Sequence, residues 1–120
     1  MKAEIYKNGP ISCGMCLTPE LITSYQGGIY SQKYDHPEEN LNHEVSVVGF
    51  KVDPVTGTEY WVVRNSQGTN WGDMGFLYLQ MYTDNLGIEA QCLAATPTFK
   101  APEPHLLLMK SFILKVIIYF

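Results

Sequence analysis

Residues 43–64 hold two runs that favour an extended chain, and the turn between them constrains everything around it. The first, HEVSVVGFKV (43–52), alternates in places and is rich in valine; the second, TEYWVVR (58–64), is aromatic and β-branched. Such side chains suit a pleated, half-buried surface. Between them Asp53-Pro54-Val55-Thr56-Gly57 is a turn sequence: proline presets one φ, aspartate bonds to nearby backbone, and glycine takes a positive φ without strain. A hairpin is therefore expected. Folded about the centre of that turn, it sets opposite each other residues whose numbers sum to about 111. His43, at the start of one strand, then lies within a few residues of Asn65, at the end of the other. A bulge near Gly49 or at the turn would shift this register by one or two places.

The rest of the chain reads as a frame for that hairpin. Residues 1–8 read as the end of a helix stopped by Gly9-Pro10, and residues 10–16 as a short strand. Thr18-Pro19-Glu20 opens a helix with a capping hydroxyl, a proline in the first turn and an acid near the N-terminus; Gly27-Gly28 ends it. Residues 31–42 are a polar loop. FLYLQMY (76–82) is a third strand of the sheet's centre, and residues 90–95 a weaker fourth. Several strands with one short helix predict an α+β, mostly β domain: a small antiparallel, barrel-like sheet.

At 120 residues the chain has room for one such domain and not for two. Its formal net charge of −4 argues against a nucleic-acid partner, which needs a basic surface. The opening residues, MKAEIYKNGP, hold no apolar run of the signal-peptide kind. The last fifteen, LLLMKSFILKVIIYF, include twelve apolar residues but also Lys110 and Lys115. They fall short of the roughly 20 residues a membrane helix needs, so a membrane contact is not expected. Pro97, Pro102 and Pro104 set this tail apart.

A histidine beside a carboxamide has a chemical use. The imidazole exchanges protons near neutral pH. An amide oxygen that accepts one ring N–H fixes the tautomer and frees the other nitrogen to work on a thiol or hydroxyl. The same spacing also fits a histidine satisfied at a strand end and an asparagine closing a turn, and spacing alone does not choose.

The motifs around the two residues do choose. "LNHEVSVVGF" and "YWVVRNSQGTNWGDMGF" resemble the His and Asn regions of papain-like cysteine peptidases, in order and at the right separation. "MKAEIYKNGPISCGM", "GGIY" and "NLGIEAQC" are most similar to the cathepsin X (or Z) branch. The resemblance covers residues 1–97 and implies the right-hand, C-terminal half of the papain-like fold, with residues 98–120 as a hydrophobic tail outside the family. It implies that His43 is the catalytic histidine and Asn65 the residue that orients it. Trp71 matches the packing tryptophan of the second motif, and Gly68, Gly72 and Gly75 the glycines of a tight loop below the cleft. It further implies a Cys13–Cys92 disulfide with Cys16 free.

Two positions depart from the pattern. Gln67 stands where the family has the tryptophan that covers the His–Asn bond, and Glu44 where it has a small apolar residue lining the cleft. With Trp71, these form the expected substrate-side wall. The family's nucleophile, in a Cys-Gly-Ser-Cys-Trp-like segment, and its oxyanion-hole glutamine both lie upstream of the matched region. The chain is thus expected to be inactive alone, with a cysteine-bearing N-terminal domain as partner and peptides or proteins as substrates. The Cys13-Gly14-Met15-Cys16 stretch is a poor nucleophile segment: no tryptophan follows Cys16, and the next helix starts after both cysteines. A redox pair there lacks a βαβ setting, and zinc held with His36 and His43 lacks finger spacing. No metal or cofactor is expected. The alternative to a peptidase fragment is a pseudopeptidase or interaction module on the same half-fold. By resemblance the compartment is lysosomal or secreted.

Overall fold

The computed structural model describes residues 1–33 and 37–96. His36 and the tail at 98–120 lie outside the described residues. Helix α1 (Lys2–Asn8) leads into strand β1 (Ile11–Met15), helix α2 (Pro19–Ser24) and a two-residue strand β2 (Ile29–Tyr30). Strands β3 (His43–Val52), β4 (Glu59–Arg64), β5 (Phe76–Gln80) and β6 (Cys92–Leu93) follow. They form one six-stranded sheet in the order β2-β5-β4-β3-β1-β6.

The hairpin forms as its residues dictate. Asp53 accepts from Val55 N–H and the Thr56 hydroxyl, and Gly57 sits at φ 72° and donates to the Asp53 carbonyl. The Thr56 hydroxyl holds the Asp53 carboxyl below its ordinary range. Helix α2 starts at its expected cap: Leu21 N–H donates to Thr18 Oγ1, and Pro19 occupies the first turn. It ends at Ser24, three residues before Gly27. Tyr25 leaves the helix in an extended conformation and sends its ring into the core.

Three features differ from the sequence reading. Residues 2–8 make a complete helix, so there are two short helices and not one. Lys2 ties α1 to the sheet through Glu59 and Tyr82, and Ile5 is buried beneath it. The Glu59 carboxylate raises the Lys2 ammonium pKa, and Lys2 lowers that of Glu59. Second, β2 pairs with β5 in parallel, making the sheet mixed. A two-residue strand carries no alternation to read. Third, the weak final strand shrinks to two residues, and residues 85–87 form a 3₁₀ turn whose Leu86 is fully buried.

Candidate active site

The bulge in β3 decides which way His43 faces. Beside the turn the pairs are Val52–Glu59, Lys51–Tyr60 and Phe50–Trp61, in the register the turn predicts. Between Val47 and Gly49 the register slips by one, so that Val47 pairs with Val63 and Ser46 with Arg64. Paired residues share a face. Phe50 and Trp61 meet edge to face, with ring centroids 6.3 Å apart, on the core side. Val47 is three residues from Phe50, and without the slip it would point to the opposite face. With the extra residue inserted, Val45 and Val47 join Trp61 and Val63 in the core, and His43, two before Val45, points the same way. Asn65, two past Val63, follows on the facing strand.

The two side chains meet: His43 Nε2 lies 2.8 Å from Asn65 Oδ1. Ser66 N–H also donates to Asn65 Oδ1, at 2.8 Å. An N–H requires an acceptor, so the atom between them is the amide oxygen, and Nε2 carries the hydrogen it donates. Nδ1 of the neutral ring is then a lone-pair acceptor. Asn65 N–H donates to the Gly75 carbonyl, which closes the loop from 65 to 75. Met15, paired with His43 across β1 and β3, is buried.

The loop after Asn65 is braced from below. Trp71 Nε1–H donates to the Ile22 carbonyl at 3.0 Å, and its ring packs on Tyr25 with centroids 5.3 Å apart. Tyr78 hydroxyl donates to Asp73 at 2.6 Å, and this bond pushes the Tyr78 pKa up to about 12. Gly72, at φ 58°, has no room for a side chain: a Cβ would stand 2.6 Å from the Phe76 carbonyl and 3.0 Å from the Tyr25 ring.

The other expected residues fall around this pair. Glu44, alternating with His43, faces outward and accepts from Ser12 Oγ across the strands. With Ser46, Arg64 and Asn65 it lines a groove of about 850 Å³ whose far rim is Pro10, Leu93 and Ala94. Gln67 is exposed at the start of the loop. The Trp71 indole turns onto α2 and is half-buried there. Cys13 and Cys92 form a disulfide, and Cys16 is free and 3% exposed. With Cys13 so bonded, the Cys13–Cys16 pair has no two thiols to offer zinc or a redox partner. The sequence reading missed the Ser12–Glu44 bond and the side-chain contacts of Asn42, which joins Leu17 through two hydrogen bonds. Both depend on the β1·β3 register, which no turn in the sequence sets.

A mostly β, α+β half-fold of this kind, with His43 and Asn65 meeting across its hairpin, matches part of the papain-like fold. The chain belongs to the papain family of cysteine proteases, whose family pattern matches residues 1–96. It is 41% identical over 104 residues to cathepsin Z of Onchocerca volvulus, covering 81% of this chain and 33% of that protein. It is 36% identical over 97 residues to cathepsin C of Schistosoma mansoni, covering 75% of this chain and 21% of that protein. The bromelain protease of Ananas comosus superposes with a TM-score of 0.70 at 25% identity, over 82% of this chain and 45% of that one. The chain thus spans about a third or less of the curated relatives it matches.

Proposed function

We propose that the chain supplies the histidine–asparagine side of a cathepsin Z-like cysteine peptidase, the thiol coming from an N-terminal domain of papain type. The carrying observation is the His43 Nε2–H bond to Asn65, which leaves Nδ1 facing away from its orienting partner. In the complete site Nδ1 takes the proton of the thiol and gives a thiolate–imidazolium pair. The thiolate attacks the peptide carbonyl, and the Nδ1–H proton passes to the leaving amine as the C–N bond breaks. A water molecule, deprotonated by Nδ1, then hydrolyses the thioester. Asn65 keeps the ring in one tautomer and orientation throughout. Of the residues expected on the substrate side, Gln67 is exposed beside the pair, whereas Glu44 points to the Ser12 side of the sheet and Trp71 packs on α2; the substrates are peptides or proteins. The disulfide suits a lysosomal or secreted setting.

None of the three cysteines offers an exposed thiol, since two are bonded and one is buried. The chain alone is therefore expected to cleave nothing. The test mixes the purified chain with a separately produced thiol-bearing half and follows a fluorogenic peptide. Cleavage that requires both halves, is blocked by a thiol-directed inhibitor and is lost in His43→Ala supports the assignment. Thiol-inhibitor-sensitive cleavage by the 120-residue chain by itself overturns it.

One observation favours a second reading, a pseudopeptidase or interaction module. Gln67, which stands where the resembled pattern has a covering tryptophan, is exposed, and a hydrogen bond more open to water holds its partner less firmly. A reconstituted pair that associates but does not cleave selects this reading.

A further inference from the structure

We infer that the groove beside Asn65 is the seat of the chain's own residues 106–110, the run LLLMK, with Lys110 on Glu44; no step of this uses the catalytic role of His43. The groove crosses β1, β3 and β4 and has a volume of about 850 Å³. Pro10, Leu93, Ala94 and Ala95 give it an apolar rim, and Leu93 is 72% exposed. Apolar surface edged by polar groups in this way marks a place that another segment or molecule covers. Glu44 lies on the wall and accepts from Ser12 through Oε1, which leaves its other carboxylate oxygen for a cation. The groove's own cation, Arg64, stands on β4, three strands across from β6. A positive side chain entering over the β6 rim therefore meets Glu44, on β3, before it meets Arg64.

The chain itself supplies a segment with the matching chemistry. The rim residue Ala95 is followed two residues later by Pro97, and Leu106 comes nine residues after that. Nine residues reach about 30 Å when extended, enough to return to a groove whose rim they leave. Residues 1–97 hold eleven acids and five bases, and residues 98–120 hold three lysines and one acid. A segment of net +2 thus faces a domain of net −6. Lys110 directly follows Leu106, Leu107, Leu108 and Met109, so a run that fills the apolar rim carries its cation to the polar wall. Cavities of about 300–1,000 Å³ take a small ligand or a few side chains, which limits the occupant to one short run. A tether of this length holds the segment at an effective concentration on the order of millimolar, well above that of a second copy in dilute solution.

The test is zero-length carbodiimide cross-linking of the full 120-residue chain, read by peptide mass spectrometry in an equal mixture of ¹⁴N- and ¹⁵N-labelled protein. A Glu44–Lys110 link is expected, joining light to light and heavy to heavy. Leu106→Glu, Leu107→Glu and Leu108→Glu together are expected to lower its yield about fivefold or more, because charged side chains do not enter the apolar rim. These changes leave residues 1–97 untouched, so a lost link does not reflect a damaged sheet. Absence of the link in the wild type overturns the proposal. So does a yield matched by Lys110 links to Glu4 and Glu20, which would describe a segment with no seat. Links between light and heavy chains would assign the groove to a second copy, and loss of the link on phosphatidylcholine vesicles that sediment with the chain would assign the segment to lipid; either result also overturns it. Because the readout needs neither a thiol-bearing half nor cleavage, it can fail while reconstituted activity stands, and the reverse.

Discussion

Asn65 Oδ1 accepts from Ser66 N–H and from His43 Nε2–H, both at 2.8 Å, and the first of these bonds keeps the carboxamide turned so that the second can form. Removing the amide leaves both donors without their acceptor. In the reconstituted enzyme Asn65→Ala is expected to lower kcat about tenfold to a hundredfold with KM little changed. On the proposed role of His43, His43→Ala should cost more, since acid–base catalysis itself contributes on the order of 10²–10⁴-fold. Equal losses in steady-state kinetics of the two variants would mean that Asn65 does more than orient the ring. At this scale the pair was legible because a single turn sets its register. Glu44 shows where that legibility stops. Its neighbour in sequence is His43, yet its side chain faces outward to Ser12 on β1. That contact belongs to a strand pairing that 27 intervening residues separate from Met15, and no local pattern specifies it.

Loop 66–75 is where an element's construction acts on the site. Its two braces, Trp71 to Ile22 and Asp73 to Tyr78, hold it against α2 and β5. The Tyr78 proton lies in a bond to a carboxylate, so the neutral phenol is favoured and its pKa is raised from 10.0 to about 12. A raised folded-state pKa means the brace is intact below the unfolded tyrosine value and is lost as the pH climbs through the folded one. Tyr78 should therefore ionise above the ordinary tyrosine range in an ultraviolet phenolate titration. Asp73→Asn should bring its midpoint back toward 10, and a midpoint unmoved by that change would exclude Asp73 as the cause. The other end of the brace rests on the Thr18 cap. Thr18→Ala is expected to cost about 1 kcal/mol in denaturant unfolding, since a buried cap hydroxyl serves Leu21 N–H. The hairpin and α2 could be read beforehand because their turn and cap chemistry is local. The parallel β2–β5 pairing and the buried turn at Leu86 could not, because both are set by packing against distant strands.

Across the molecule the sheet closes its order on β6, a two-residue strand that among the described residues pairs only with β1. Two backbone residues supply little pairing energy; Leu86 and Ile88 in the core and the bonds from Gly14 N–H to the Gln91 carbonyl and from Cys16 N–H to the Leu86 carbonyl add to it, and the Cys13–Cys92 disulfide between directly paired positions makes the attachment covalent. It joins residues 79 apart in sequence, so it removes much of the freedom of the unfolded chain. A loop of that size is worth about 4–5 kcal/mol in the chain-entropy account, while measured native bridges give about 2–5. A domain of this size is stable by about 5–15 kcal/mol in all, so the bridge is a large share. Cys92→Ser should lower the melting temperature by about 10–25 °C. It leaves a thiol at Cys13, which is fully buried, so the variant should neither gain reactivity toward a thiol reagent while folded nor lose the His43–Asn65 contact at low temperature. Reduction of the wild type with a dithiol should reproduce the same shift. Calorimetry of the oxidised, reduced and substituted chains checks both, and a melting temperature indifferent to reduction would place the stability of this half-fold in its strands alone.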